Sequence, residues 1–241
     1  MSRTGHNLGT VAFLARHRAY GEILTRLLKL FYSNSVALGM QRDLESLPTS
    51  PSCTLPLRLR PIRPEDVGLL FDVLSRGVSR EEAHGQLARL HLLKLGLPSC
   101  YVAVQADDTP CYVQWAVRSS DNERLGEVFP SWFPRLRDDE VLLEYAYTVP
   151  KYRRSGIMNW ALEAMGRQAS SFGARWLLSF IPLGNRGSIE GHIRAGFRPY
   201  LLRVGKSRPF SRSVRFLPLG TGDVSAAGLI DFSALSREYL R

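Results

Sequence analysis

The densest chemistry in the 241-residue chain is the turn Tyr152-Arg153-Arg154-Ser155-Gly156-Ile157-Met158, where cations flank a glycine that opens an apolar-periodic stretch. Backbone N–H groups at a helix N-terminus lack partners within the helix and lie at the positive end of its dipole. They therefore favour a phosphate-sized anion. Gly156 permits close backbone approach, and Lys151, Arg153 and Arg154 add positive charge beside it. The same residues also fit a plainer reading, a glycine that eases a tight loop among solvated arginines. A few residues upstream, Glu144 stands between Leu143 and Tyr145 in an apolar strand pattern. Desolvation there raises a carboxyl pKa toward the range useful to a general base. The alternative is a carboxylate satisfied by a cross-strand arginine.

The elements that must position these groups can be read from periodicity. Leu57, Leu59, Pro61 and Ile62 form a short strand pattern. Pro64, Glu65 and Asp66 then supply a first helical turn for Val67, Leu70, Phe71 and Leu74. Ser79 followed by Glu82 is a capping box, so a second helix is predicted over 80–95, stopping at Gly96. CYVAVQADDTPCYVQWAV reads as a hairpin turning at Ala106 to Pro110. Residues 118–139 read as loop, with Phe129, Trp132 and Phe133 forming a lid or packing beneath it. VLLEYAYTV is a strand ended by Pro150. Met158, Leu162, Met165, Ala169 and Phe172 share one face of a helix ended by Gly173, and WLLSFI is a strand covered on both faces. That sequence of elements is a βαβ unit. A helix over 187–195 and the strands FRPYLLRV and SVRFLPL close the pattern. Upstream, the stretch 11–32 reads as a basic amphipathic helix, with Ile23, Leu27, Leu28, Leu30 and Phe31 around Arg26 and Lys29. The connector LESLPTSPSCTLP follows it. The expected organisation is an N-terminal helical extension and linker over 1–56, a domain over 57–217 and a C-terminal tail over 218–241.

Composition bounds the answer. Forty-four per cent apolar and 22% charged residues describe an ordinary globular chain and exclude fibrous or wholly disordered classes. The net charge of +10 is concentrated, because residues 151–215 hold 13 basic and 2 acidic side chains. That block suits a polyanion or an acidic partner, or else solvated helix faces. Cys53, Cys100 and Cys111 are an odd count without paired spacing, against a disulfide scaffold or a structural zinc site. Cys100 and Cys111, in the hairpin strands, are expected as small buried hydrophobes rather than nucleophiles; a reducing cytoplasm fits this cysteine usage, and no metal is expected. No apolar run approaches the roughly 18 residues of a spanning helix, and the N-terminus lacks the layout of a secretory signal.

The element order and two motifs resemble the GNAT superfamily of acyl-CoA-dependent N-acyltransferases over residues 57–217. One motif is Thr148-Val149-Pro150-Lys151-Tyr152-Arg153-Arg154-Ser155-Gly156-Ile157, similar to the family's strand and turn that cradle the coenzyme A pyrophosphate. The other is NRGSIEGHIRAGF, Asn185 to Phe197, similar to the late motif of Asn, a small residue at Ser188 and a terminal Gly-Phe. The resemblance implies a mixed α/β sheet and a coenzyme site of Tyr147, Thr148, Val149, Lys151, Arg153, Arg154, Ser155, Gly156, Ile157, Met158, Asn185 and Ser188. Two positions depart from the family: Met158 replaces Gly or Ala, and His192 replaces the Tyr that often protonates the departing thiolate.

What the resemblance implies chemically is direct transfer from acyl-CoA or acetyl-CoA to the amine of a small molecule. Glu144 would take the amine's proton, directly or through water, and His192 would give one to the thiolate. A single histidine on a short helix also suits a packing role. Backbone N–H groups around Tyr147 to Val149 would hold the thioester oxygen. Phe129, Trp132 and Phe133 would wall the acceptor site, pointing to a bulky acceptor or an acyl chain longer than acetyl. An acidic acyl carrier protein, offering its phosphopantetheine arm, is the alternative donor for the basic segment. Readings of another class are a coenzyme-binding sensor without catalysis and a basic nucleic-acid-binding protein, although no nucleic-acid motif appears.

Overall fold

The computed structural model describes residues 33–46, 53–71, 79–208 and 211–219. In chain order the strands are β1 (Ser33–Asp43), β2 (Arg58–Pro61), β3 (Cys100–Val104), β4 (Pro110–Arg118), β5 (Glu140–Thr148), β6 (Trp176–Pro182), β7 (Arg198–Arg208) and β8 (Ser211–Pro218). The helices are α1 (Asp66–Leu70), α2 (Arg80–Lys94), α3 (Asn122–Val128), α4 (Ile157–Ser171) and α5 (Arg186–Arg194). The fold is mixed α/β. The described residues divide into two compact units, one drawn from 43–46, 53–71, 79–128 and 135–177, the other from 33–42, 129–134, 178–208 and 211–219.

The first unit holds the antiparallel run β2-β3-β4-β5. β4 is buried from Pro110 through Val117, which explains its nearly unbroken apolar sequence. Ser79 accepts a hydrogen bond from the Glu82 N–H and starts α2 as the capping pattern predicts. Glu81 and Glu82 sit at its positive end, His91 and Lys94 at its negative end, and Gly96 with φ 66° follows. α4 buries Ile157, Ala161, Leu162, Met165 and Ala169 on one face and ends before Gly173 at φ 84°. Ile157 and Ala161 pack with Ala103, Cys111 and Tyr112, and Met158 and Trp160 lean on the same cluster. Cys100 and Cys111 are buried in β3 and β4, as expected of small hydrophobes there, and burial pushes the Cys111 thiol up to about 11 and that of Cys100 higher still.

Two features differ from the sequence reading here. Residues 122–128 form α3 inside what reads as loop, with Leu125 and Val128 buried. β5 carries a bulge: Val113 lies opposite Tyr147 but Trp115 lies opposite Glu144, so β5 uses one residue more than β4. Tyr145 takes φ 58° within it.

The second unit runs β6-β1-β7-β8, with β1 antiparallel to β7 and β7 to β8. β1 lies in the segment expected to be extension and linker; Val36 to Met40 are all buried, as in a strand covered on both faces. The amphipathic helix expected over 11–32 and the tail beyond 219 lie outside the described residues. Phe180 meets Phe133 at 5.6 Å and Phe216 at 6.1 Å, both edge to face. Gly205 completes this packing, because a Cβ there would stand 2.7 Å from Ser35 Oγ and 2.8 Å from Trp132 Cζ3. Gly205→Ala is therefore expected to lose about 1–3 kcal/mol by overpacking, measured by urea denaturation. A loss within error would mean that Trp132 has room to swing aside.

Candidate active site

The turn after β5 is built by backbone conformation first. The Val149 N–H donates to Cys111 O at 3.0 Å, tying the end of β5 to β4. Pro150–Tyr152 is a single 3-10 turn. Tyr152 anchors it through Gln105 Nε2, which donates to its hydroxyl at 2.7 Å, and through its place on the apolar cluster. Ser155 Oγ donates to Tyr152 O at 2.9 Å. Arg154 and Gly156 both lie in the left-handed region, at φ 65° and 78°. Gly156 is the N-cap of α4, and no side chain caps that helix. Its first N–H groups therefore face outward without an intrahelical acceptor, beside two left-handed residues that fold the backbone into a concave donor surface. Met158 packs against the apolar cluster.

The three cations of the turn have different fates. Arg153 folds back: Nη2 donates to Glu82 Oε1 at 2.7 Å, Nε donates to Thr148 O at 3.2 Å, and its guanidinium lies 5.8 Å from the centre of the Tyr147 ring. Lys151 Nζ lies 4.7 Å from the Tyr152 ring. Arg154 is exposed and pairs with none of the described residues.

Between α2 and the end of β5 lies a polar row that the sequence did not reveal. Gln86 Nε2 donates to Tyr147 Oη at 2.9 Å, and Tyr147 Oη donates to Glu82 Oε1 at 3.1 Å. Burial raises the Tyr147 phenol pKa, so the group keeps its proton. Arg89 Nε and Nη2 donate to Tyr145 O at 2.9 Å and Ala146 O at 2.6 Å, the two carbonyls of the bulge. Glu144 is half-buried on β5 opposite Trp115. Glu82 is visible in the sequence as half of a capping box, yet its carboxylate serves Tyr147 and Arg153. Nothing in the sequence marks Arg89, because an arginine on a helix face is ordinarily solvated.

Asn185, Ser188 and His192 lie in the second unit. Asn185 Oδ1 accepts from the Ser188 N–H at 3.2 Å and caps α5. His192 is 2% exposed, its ring 4.9 Å from that of Phe197. Its Nδ1 lies 2.8 Å from Ser188 O, a pure acceptor, so Nδ1 carries the proton and Nε2 the lone pair. Burial pushes its pKa down to about 4. Because that value lies below the unfolded value of about 6.5, the unfolded chain binds the extra proton, and stability is lost as pH falls from 6.5 toward 4. The loss attributable to His192 is about 3 kcal/mol across that window. His192→Phe should remove this increment from the acid slope measured by denaturation at several pH values. Equal slopes for both proteins would show that the imidazole is not held neutral. In the same unit, the guanidinium of Arg203 lies 4.2 Å from the Trp132 ring, 5.1 Å from Phe133 and 4.9 Å from Phe180, and Phe129 meets Phe133 edge to face at 5.4 Å. The aromatics of the 118–139 segment are thus packed on one another and on a buried cation.

Among solved structures, a GCN5-related glucosamine N-acetyltransferase region of a fungal multi-domain GH3 β-N-acetylglucosaminidase matches 79% of the chain at 12% identity, with a TM-score of 0.51. A GCN5-related N-acetyltransferase from Sphaerobacter thermophilus matches 83% at 15% identity and a TM-score of 0.43. A GNAT-family acetyltransferase from Colwellia psychrerythraea matches 82% at 11% identity and a TM-score of 0.45. The chain spans 22%, 57% and 62% of those three chains. No family model matches, and neither does any curated protein. The chain has a GNAT-type fold. Among the described residues no group of three or more His, Cys, Asp or Glu could hold a metal, and no helix is long and apolar enough to cross a membrane.

Proposed function

We propose that the chain is an N-acyltransferase that moves an acyl group from acyl-CoA to the amine of a small molecule by direct attack. The observation that carries this reading is the uncapped start of α4 behind the left-handed Arg154 and Gly156. A diphosphate fits there: outward N–H groups meet its oxygens, Gly156 has no Cβ to obstruct it, and exposed Lys151 and Arg154 supply charge.

The chemistry then follows from the residues of β5. An ammonium has no lone pair, so the amine must lose a proton before it attacks; Glu144 is the base, acting directly or through water. Nitrogen bonds to the thioester carbon, the carbonyl pair moves onto oxygen, and collapse expels the thiolate. Val149 cannot serve the oxyanion through its N–H, which is committed to Cys111. His192, neutral with its Nδ1–H hydrogen-bonded to Ser188 O, offers Nε2 only as an acceptor, and the thiolate's proton is not assigned to it. Asn185 and Ser188, each part of the α5 cap, are kept as coenzyme contacts on the strength of the motif alone. A cytoplasmic site of action fits the three free cysteines.

Calorimetric titration with coenzyme A, followed by a mass-spectrometric screen of acyl donors against an amine panel, tests the reading. Binding at micromolar ligand and a product mass increased by one acyl group are expected. No heat at millimolar coenzyme would reject it. Turnover with an acyl-carrier-bound donor but not with acyl-CoA would replace the donor, not the reaction.

A further inference from the structure

Arg89 has the charge and position of a catalytic group, and neither the family motifs nor the turn assigns it a part. Two of its five donors are spent on Tyr145 O and Ala146 O, and its guanidinium lies 5.0 Å from the centre of the Tyr147 ring. No carboxylate among the described residues pairs with it. Burial lowers its pKa, as expected of a cation drawn out of water without a counter-charge. Nη1 is left without a hydrogen bond among the described residues. It faces Gly85, one turn back on α2, where a Cβ would stand 3.0 Å from it. A glycine inside a 15-residue helix costs about 1 kcal/mol relative to alanine, and here its effect is to keep Nη1 uncovered.

The order of groups along β5 gives that open donor a use. Tyr147 lies between two guanidiniums, Arg153 on the side of the phosphate turn and Arg89 on the side of the bulge, and Glu144 directly precedes the bulge. Tyr145 and Ala146, whose carbonyls Arg89 holds, lie on β5 between Glu144 and the turn, so a thioester anchored at the turn and attacked beside Glu144 would extend along the segment that Arg89 grips. We propose that Arg89 is a catalytic residue whose Nη1 donates to the acyl oxygen and takes up the negative charge that forms there; this rests on the N-acyltransferase reading above. When the amine nitrogen bonds to the carbonyl carbon, the π pair moves to oxygen and meets the guanidinium. When the C–S bond breaks, that pair re-forms the carbonyl and the thiolate carries off the C–S electrons. A preorganised cationic donor of this kind accounts for roughly 10²- to 10³-fold in turnover.

The test is isotope-edited infrared spectroscopy of acetyl-CoA labelled with carbon-13 at the carbonyl, bound to the wild type and to Arg89→Met, Arg89→Lys and Gly85→Ala, with coenzyme A affinity measured in parallel. The wild type should lower the carbonyl stretch relative to water. Arg89→Met should abolish that lowering and leave coenzyme A affinity within about twofold. Arg89→Lys, which keeps the charge but loses the fork, should retain part of it, and Gly85→Ala, which presses on Nη1, should reduce it. Retention of the full lowering in either Arg89 variant overturns the proposal, as does a wild type that binds without lowering the stretch. Loss of coenzyme A affinity together with the lowering also overturns it, because Arg89 would then support the turn rather than the acyl oxygen. If Arg89→Met does not fold, Arg89→Lys and Gly85→Ala decide the matter. Failure of the wild type to bind coenzyme A is a separate result that removes the transferase reading itself.

Discussion

Glu144→Gln is expected to lower turnover of the amine identified by the product screen by about 10²- to 10⁴-fold, with coenzyme A affinity unchanged. Glutamine keeps the size of the side chain and its hydrogen-bonding capacity but has no basic oxygen, so the effect isolates proton removal from packing. The residue lies half-buried opposite Trp115, at the point where β5 bulges. If its carboxylate is the base, turnover in the wild type rises as that group ionises and then levels off. In the variant this acid limb disappears, leaving only the titration of the amine itself. An unchanged pH profile with unchanged turnover would sink the assignment. A reduced rate that keeps the acid limb would transfer the base role to another carboxylate, and Glu82 is the first to examine, since it already accepts from Tyr147 and Arg153.

How much of this site was legible in the sequence depends on whether each part is local. The turn was, because a glycine flanked by cations before an apolar-periodic run is a signal carried by adjacent residues. Gly156 does take φ 78° at the start of α4. Ser79 likewise announces α2, and its oxygen accepts the Glu82 N–H. The parts that escaped depend on contacts between distant residues. A tyrosine at φ 58° has no local signature, since aromatic side chains rarely adopt that region, and Tyr145 does so where the β5 register slips against β4. Arg89 reaches its carbonyls across 56 and 57 residues of chain. β1 is legible in principle, for Val36, Leu38 and Met40 alternate with the small Ala37 and Gly39, but the helical pattern before it and the prolines after it make the segment read as extension and linker. His192 shows the opposite limit. Its type permits a proton donor at neutral pH, and only its burial and its bond to Ser188 O show which state it holds.

The structural counterpart of Glu144 is Asp66, and Asp66→Ala is expected to cost about 3–5 kcal/mol of stability. Arg60 is 7% exposed and Asp66 1%. Arg60 Nη1 and Nη2 donate to the two oxygens of Asp66 at 2.7 and 2.9 Å, and the Arg63 N–H donates to Oδ2 at 2.7 Å. Burial alone would push the Asp66 carboxyl up. The hydrogen bonds from Arg60 and the Arg63 N–H more than reverse this, and the group ends below its ordinary range. Removing the carboxylate strands a buried guanidinium, and the loss of an unpaired buried charge exceeds what the intact pair contributes over two apolar residues. Arg60 Nε keeps its bond to Asp108 Oδ1 at 3.0 Å, so the lower end of the range is expected. Asp108→Ala provides the contrast: that carboxylate binds Arg58, Arg60 and Arg63 but lies open to solvent, where screening and side-chain entropy leave ion pairs weak, and its loss should be far smaller. Replacing Arg60 by Met together with Asp66 by Leu should recover much of the stability lost in Asp66→Ala, because neither charge then remains to be desolvated. Urea midpoints for the four proteins decide the point. Equal losses for Asp66→Ala and Asp108→Ala would mean that water reaches Arg60 and that the pair is not buried in solution.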